Sequence, residues 1–168
     1  IICKKTNLGG LYMSKNTELI SSTAHASNLA YGFETARVDE YGDDKVVVEA
    51  QRLREYNIPS NMEYLEDMYD PKTGTSGTAF RNKDTGEVIL AYTGTNLSFR
   101  PEVFKDIGTD FYEVLTAGGD HYKPAYEFYE RVRAKYGNNI ILTGHSLGGN
   151  IAQRVALEYN VPKTVVYN

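Results

Sequence analysis

The chain of 168 residues holds one cysteine, Cys3. One thiol makes no internal disulfide, so the fold must be held by packing, and Cys3 reads as incidental rather than catalytic. Long apolar runs are absent as well. The longest, such as Val46-Val47-Val48 and Val88-Ile89-Leu90-Ala91, fall far below the roughly 20 residues a membrane-spanning helix needs. Positive charge is in the minority, with 18 Lys and Arg against 22 Asp and Glu and a formal net charge of -4. Such a balance gives no electrostatic footprint for phosphate backbones, so nucleic acid is not an expected partner, and anionic membranes gain no attraction from net charge. The opening Ile1-Ile2-Cys3-Lys4-Lys5 has neither a long apolar core nor a small-residue cleavage site. No Sec-type signal is visible there, which leaves the cytoplasm or export by another route.

What the sequence does contain is the composition of an ordinary soluble globular domain, 41% hydrophobic and 24% charged, without internal repeat or low-complexity linker. Met13 is a candidate internal start, so residues 1–15 read as an N-terminal extension and 16–168 as one domain. The segment TELISSTAHASNLAYG predicts a helix capped by Asn16 or Thr17, with Leu19, Thr23, Ala26 and Ala30 near helical spacing and Gly32 as its stop. His25 falls on a face of that helix and reads as structural. A second helix is expected from about Asp43 to Tyr56, with Val47, Ala50, Leu53 and Arg54 aligned before Ile58-Pro59 ends it.

The middle of the chain changes period. MEYLEDMYD, GTAFRNK and EVILAYTG are short β-branched or aromatic runs separated by Asp70-Pro71-Lys72-Thr73-Gly74 and Asp84-Thr85-Gly86, so they predict strands joined by turns, the last two as an antiparallel hairpin. DMYDPKTG is acidic but has neither EF-hand spacing nor a closing glutamate, which argues against a calcium loop. A helix over Tyr122 to Tyr136 places Tyr122, Tyr126, Tyr129, Val132 and Tyr136 on one face, an aromatic stripe that reads as core. After Gly137-Asn138 come a buried strand at 139–143, a helix from Leu147 to Tyr159 and a strand over Thr164-Val165-Val166-Tyr167. Strand, helix, strand implies a parallel crossover.

At that strand-to-helix junction stands Gly144-His145-Ser146-Leu147-Gly148-Gly149. A Gly-x-Ser-x-Gly pentapeptide arises by chance in roughly one chain in twenty of this length. An apolar strand precedes it, however, and a helix with Leu147, Ile151, Val155 and Tyr159 on one side follows, which is the context of a nucleophile elbow. There the chain turns so sharply that Ser146 is forced into a strained conformation, and Cβ atoms at 144 and 148 have no room. The turn also sets the Ser146 hydroxyl at a helix N-terminus and aims the Leu147 N–H at the oxygen that gains charge during acyl transfer. The bland alternative is a tight glycine turn around a buried serine.

The segment GHSLGG, together with Ala91-Tyr92-Thr93-Gly94-Thr95-Asn96 upstream, resembles the class 3 lipases, and the likeness covers most of the chain from about residue 17. The resemblance implies an α/β-hydrolase fold: a mainly parallel sheet flanked by helices, with an antiparallel hairpin early in it, incomplete at its C-terminus. Thr95 takes the place of the family's second oxyanion donor, and Thr93 stands where the family usually has Arg. Asp106-Ile107-Gly108-Thr109-Asp110-Phe111 looks like the family's Asp-Trp-x-Thr-Asp-Leu segment, with Ile107 for the aromatic and Asp110 as a supporting residue rather than the triad acid. Leu97 to Phe104 stands where the lid over the acyl pocket begins, or is a plain connecting loop, and His121 matches a histidine that is generally structural.

Such hydrolases order their triad Ser, Asp, His. His25, His121 and His145 all precede Ser146, so the expectation is that the triad Asp and His lie beyond Asn168, that the missing C-terminal half is an obligatory partner, and that this stretch alone is nearly inactive. The reaction so implied is hydrolysis of a lipid ester, acylglycerol or phospholipid, through an acyl-enzyme on Ser146 without metal or cofactor. Some bacterial domains of this kind are secreted toxins, which adds an immunity or inhibitor protein as a partner implied by resemblance alone. The rival readings are an inactive α/β-hydrolase-like binding module and a thioesterase or acyltransferase, because the same elbow serves any acyl transfer.

Overall fold

The computed structural model describes residues 9–94 and 122–167. Its elements run α1 (Gly9–Val38), α2 (Val46–Arg54), β1 (Met62–Asp70), β2 (Thr75–Asn82), β3 (Val88–Thr93), α3 (Lys123–Tyr136), β4 (Ile140–His145), α4 (Leu147–Tyr159) and β5 (Thr164–Tyr167). The five strands form one sheet in sequence order. β1–β2 and β2–β3 pair antiparallel, and β3–β4 and β4–β5 pair parallel. The α/β-hydrolase-type architecture is therefore present, with its antiparallel hairpins first and its parallel crossover last.

The two faces of the sheet carry two cores. Leu90 and Tyr92 of β3 and Leu142 of β4 pack with Ala125, Phe128, Tyr129 and Val132 of α3 and Ile151, Ala152 and Val155 of α4. The intervening residues Ile89, Ala91 and Ile141 turn to the other face, against Ala26, Leu29, Ala30 and Phe33 of α1 and Val46 and Ala50 of α2. Period-two alternation along buried strands thus sorts one set of apolar side chains into two layers. The tyrosine stripe of α3 is core, as its spacing implies: Tyr122 and Tyr129 are buried, and Tyr126 and Tyr136 pack on the same cluster.

Three boundaries differ from the sequence reading. α1 is already helical at Gly9, so Asn16 and Thr17 lie inside it and do not cap it. Gly32 does not end α1 either; a Cβ there would overlap the Ala50 carbonyl oxygen and stand 2.8 Å from Arg54 Cγ. The glycine serves the close crossing of α1 and α2, a tertiary demand that looks like a stop signal in sequence. α2 is shorter than expected, because its chain starts only after Gly42 has accepted the N–H groups of Lys45 and Val46 and ends at Glu55 in the left-handed region.

Polar ties fasten the helices to the outer strand. Arg37 of α1 binds Asp67 of β1 through two hydrogen bonds of 2.7 and 2.8 Å, and the Asp67 side chain is only 2% exposed. On the other face Glu66 accepts from Arg131 at 2.8 Å and Lys135 at 3.4 Å, both on α3. The Asp70 carboxylate is occupied within its own turn, accepting from Thr73 Oγ1 at 2.6 Å and from the Lys72 and Thr73 N–H groups. No helix among the described residues is long and apolar enough to cross a membrane.

Candidate active site

Ser146 sits between the end of β4 and the first residue of α4, with φ 54 and ψ -121. A positive φ on a residue with a Cβ is strained and persists only where the surroundings impose it. The surroundings here are close backbone. A Cβ on Gly144 would overlap the Gly148 carbonyl group and lie 2.7 Å from Gly149 N. One on Gly148 would overlap the Tyr92 carbonyl oxygen and lie 2.9 Å from Thr93 Cα. The two motif glycines therefore let α4 begin against the backbone of β4 and β3, and this contact drives the chain through the turn at Ser146.

The turn leaves Ser146 and His145 exposed, Leu147 half-buried, and Gly144 and Gly148 buried. Asn150 N donates to Ser146 O at 3.2 Å, the first helical hydrogen bond of α4. The N–H groups of Leu147, Gly148 and Gly149 precede that bond and have no acceptor within the helix, so this end of α4 presents donors and the positive end of its dipole beside the serine. Tyr122, at the start of α3, donates to Asn150 Oδ1 at 3.0 Å and joins α3 to the first turn of α4.

Gly94 carries a signal that the sequence reading missed. A Cβ there would overlap Leu147 Cβ and Cγ and stand 2.6 Å from Cδ2, so the chain leaving β3 runs directly over the residue that follows Ser146. Thr93 is fully buried, and its Oγ1 has no hydrogen-bond partner among the described residues. Thr95 and Asp110 lie outside the described residues, as do the segment Leu97 to Phe104 and His121. His25 lies on α1, its ring joined to Ser21 Oγ at 3.1 Å and to the Tyr56 hydroxyl. The His145 ring packs edge-on against Tyr31, centroids 6.3 Å apart.

Other contacts at the elbow had no motif to announce them. Tyr31 donates to the His145 carbonyl at 3.1 Å, and Ser146 N donates to the Tyr167 carbonyl at 2.8 Å. Thr23, Ser27 and Tyr31 stand at i, i+4 and i+8 along one helix face, a spacing that marks a shared line of hydroxyls but not what they meet. A cavity of ≈ 460 Å³ lined by Lys15, Asn82, Glu87, Asn139 and Lys163 opens at the opposite end of the strands, away from Ser146. Among the described residues no group of three or more His, Cys, Asp or Glu is arranged to hold a metal ion.

A family model described as phospholipase-like, Tle-like phospholipase domain, matches residues 22–168. No curated protein matches the sequence. Among solved structures the chain is similar to the nonglycosylated Yarrowia lipolytica LIP2 lipase, 17% identical, with a TM-score of 0.57 over 91% of this chain and 57% of that one. It is likewise similar to the lipase from Rhizopus microsporus var. chinensis, 17% identical, with a TM-score of 0.51 over 90% of this chain and 56% of that one. At this identity the likeness is one of fold, and the chain spans a little over half the length of either lipase.

Proposed function

We propose that this chain, which belongs to the Tle-like phospholipase domain family, supplies the nucleophile of a serine hydrolase acting on lipid esters. The observation that carries the reading is the backbone of Ser146, held at positive φ where β4 turns into α4 over two glycines that accept no Cβ. A turn built only for chain reversal has no need to place a serine in a strained conformation, exposed, at the N-terminus of a helix.

In the proposed reaction Ser146 Oγ attacks the ester carbonyl carbon while its proton passes to a general base. The C–O bond to the alcohol then breaks, the base returns the proton to that oxygen, and an acyl-Ser146 remains. Water, deprotonated by the same base, attacks the acyl carbon; the bond from that carbon to Ser146 Oγ then breaks, the base returns the proton to Oγ, and the fatty acid leaves. The Leu147 N–H and Thr95 hold the oxyanion in both tetrahedral states. Gly94 against Leu147 supports that pairing, because it brings the residue preceding Thr95 onto the nucleophile segment. Asp110 supports the site from the same stretch of chain. The His25 ring is engaged by Ser21 and Tyr56, the His145 ring lies against Tyr31, and all three histidines, His121 included, precede Ser146 where the order of such triads is Ser, Asp, His; we therefore assign the base and its orienting carboxylate to a segment beyond residue 168. The family's name favours phospholipid over acylglycerol.

The test is a fluorophosphonate probe applied to the protein as naturally made, with Ser146→Ala as control and the adduct located by mass spectrometry. Label on Ser146, lost in the control, and release of fatty acid from phospholipid micelles are the expected results. A folded protein that takes no label would overturn the reading in favour of a binding module, and label without lipid turnover would point to a thioesterase or acyltransferase.

A further inference from the structure

The buried face of α1 carries hydroxyl groups where apolar side chains would be the ordinary choice. Thr23, Ser27 and Tyr31 are four residues apart and therefore lie along one line of the helix. Each meets the C-terminal end of a strand. Thr23 Oγ1 is 2.7 Å from the Tyr167 hydroxyl of β5, Ser27 Oγ is 2.9 Å from Thr143 Oγ1 of β4, and Tyr31 donates to the carbonyl of His145. Thr23 and Ser27 are 0% and 4% exposed, so these are buried polar pairs whose partners matter to the fold.

The last contact differs in kind from the other two, because it falls on the peptide that joins His145 to Ser146. That peptide is gripped at both ends: its oxygen accepts from Tyr31 and its N–H donates to the Tyr167 carbonyl at 2.8 Å. Tyr167 is itself held to α1, since its phenol also reaches Ile20 O at 2.8 Å. Rotating the peptide plane would change the backbone of Ser146 directly, and its strained φ leaves it prone to such a rotation. We propose that Tyr31 is a positioning residue of the hydrolase reaction, fixing the peptide before Ser146 and so the direction in which the serine hydroxyl meets its substrate. This inference rests on the reading of Ser146 as nucleophile.

The ring of Tyr31 is set up for the task. Arg54 lies over one face, 5.9 Å from the centroid, and is itself hydrogen-bonded to Asn28 one turn earlier on α1. The His145 ring meets Tyr31 edge-on. Burial, with the charge of Glu34 adding to it, pushes the Tyr31 phenol above its ordinary pKa, so the hydroxyl stays a donor throughout the neutral range.

The experiment compares Tyr31→Phe, which removes one hydroxyl, with Ser27→Ala, which breaks the neighbouring tie between the same helix and the same strand. Melting temperature, the rate of fluorophosphonate labelling at Ser146, and kcat and KM on phospholipid micelles are measured in the protein as naturally made. Tyr31→Phe is expected to slow labelling and lower kcat about tenfold, the loss of one neutral hydrogen bond expressed as a rate, with KM unchanged. Ser27→Ala is expected to melt at least as early and to label at the parent rate. Parent-rate labelling in Tyr31→Phe, or equal slowing in Ser27→Ala, overturns the positioning role while leaving Ser146 as nucleophile. An unlabelled but folded parent removes the reading of Ser146 itself, and the inference with it.

Discussion

Replacing Gly148 with alanine tests the elbow where it is most constrained. The new Cβ would overlap the Tyr92 carbonyl oxygen, leaving it about an ångström short of ordinary van der Waals contact. Tyr92 cannot yield easily: it is fully buried, its phenol donates to Ala125 O at 2.8 Å, and its ring packs on Phe128. The start of α4 must move instead. Overpacking of this sort costs about 3 kcal/mol at its upper range, which for a chain of this size lowers the melting temperature by roughly 6–12 °C. The chemical effect is larger, because moving a reacting group by about 1 Å costs on the order of 100-fold in rate. Gly149→Ala is the near control, its Cβ 3.1 Å from Gly144 O and 3.3 Å from Val166 Cβ, and should cost about 1 kcal/mol. Gly86→Ala is the distant one. It places a side chain at φ 73 in the β2–β3 turn with nothing within 4 Å, so it should cost about 1 kcal/mol and leave labelling of Ser146 unchanged. A folded Gly148→Ala protein that labels as fast as the parent would refute the argument that β3 sets the serine's position.

Two further outcomes follow from the ties to β1. Arg37→Ala leaves the Asp67 carboxylate, 2% exposed, without its bidentate partner and should destabilise the fold by about 2–3 kcal/mol, measured by urea denaturation; an Asp67→Asn, Arg37→Ala double variant should recover part of the loss. Glu66 is held below the ordinary glutamate range: burial, the largest single influence, pushes it up, and the hydrogen bonds and charges of Arg131 and Lys135 together outweigh that. A depressed carboxylate stabilises the fold above its unfolded pKa, about 4.3, and that contribution fades as pH falls through the lower folded value. Stability should therefore fall on acidification in this window, and Glu66→Gln should flatten the slope; an unchanged slope would show that the β1–α3 tie carries no such linkage.

The parts of this fold that were legible in the sequence are those whose causes are local. Asp84-Thr85-Gly86 between two β-branched runs gave the β2–β3 hairpin, and the apolar run ahead of Gly144 together with the helical spacing after Ser146 gave β4, α4 and the elbow between them. The C-terminal limit of α1 was misread because Gly32 has a tertiary cause, the passage of α2 across it. For the same reason Gly94 passed unnoticed: its demand comes from Leu147, which only the β3–β4 pairing brings near. Tyr31 and Tyr167 act on the elbow through a hydroxyl and a backbone carbonyl supplied by distant elements, and no spacing rule encodes such a meeting.

β3 belongs to two kinds of structure at once. With β2, itself paired to β1, it forms a hairpin between chain neighbours, a pairing that closes in roughly 1–10 μs. With β4 it pairs Val88 to Ile140 and Tyr92 to Gly144, a union of distant segments whose loop-closure entropy makes it slow. Gly148 rests on the Tyr92 carbonyl only once that union is made, so in a refolding experiment probe reactivity should appear with the slow phase. In time, then, the elbow at Ser146 is expected to be among the last features of the molecule to exist. A chain caught half-folded would expose the apolar surface of this fold without yet possessing that elbow.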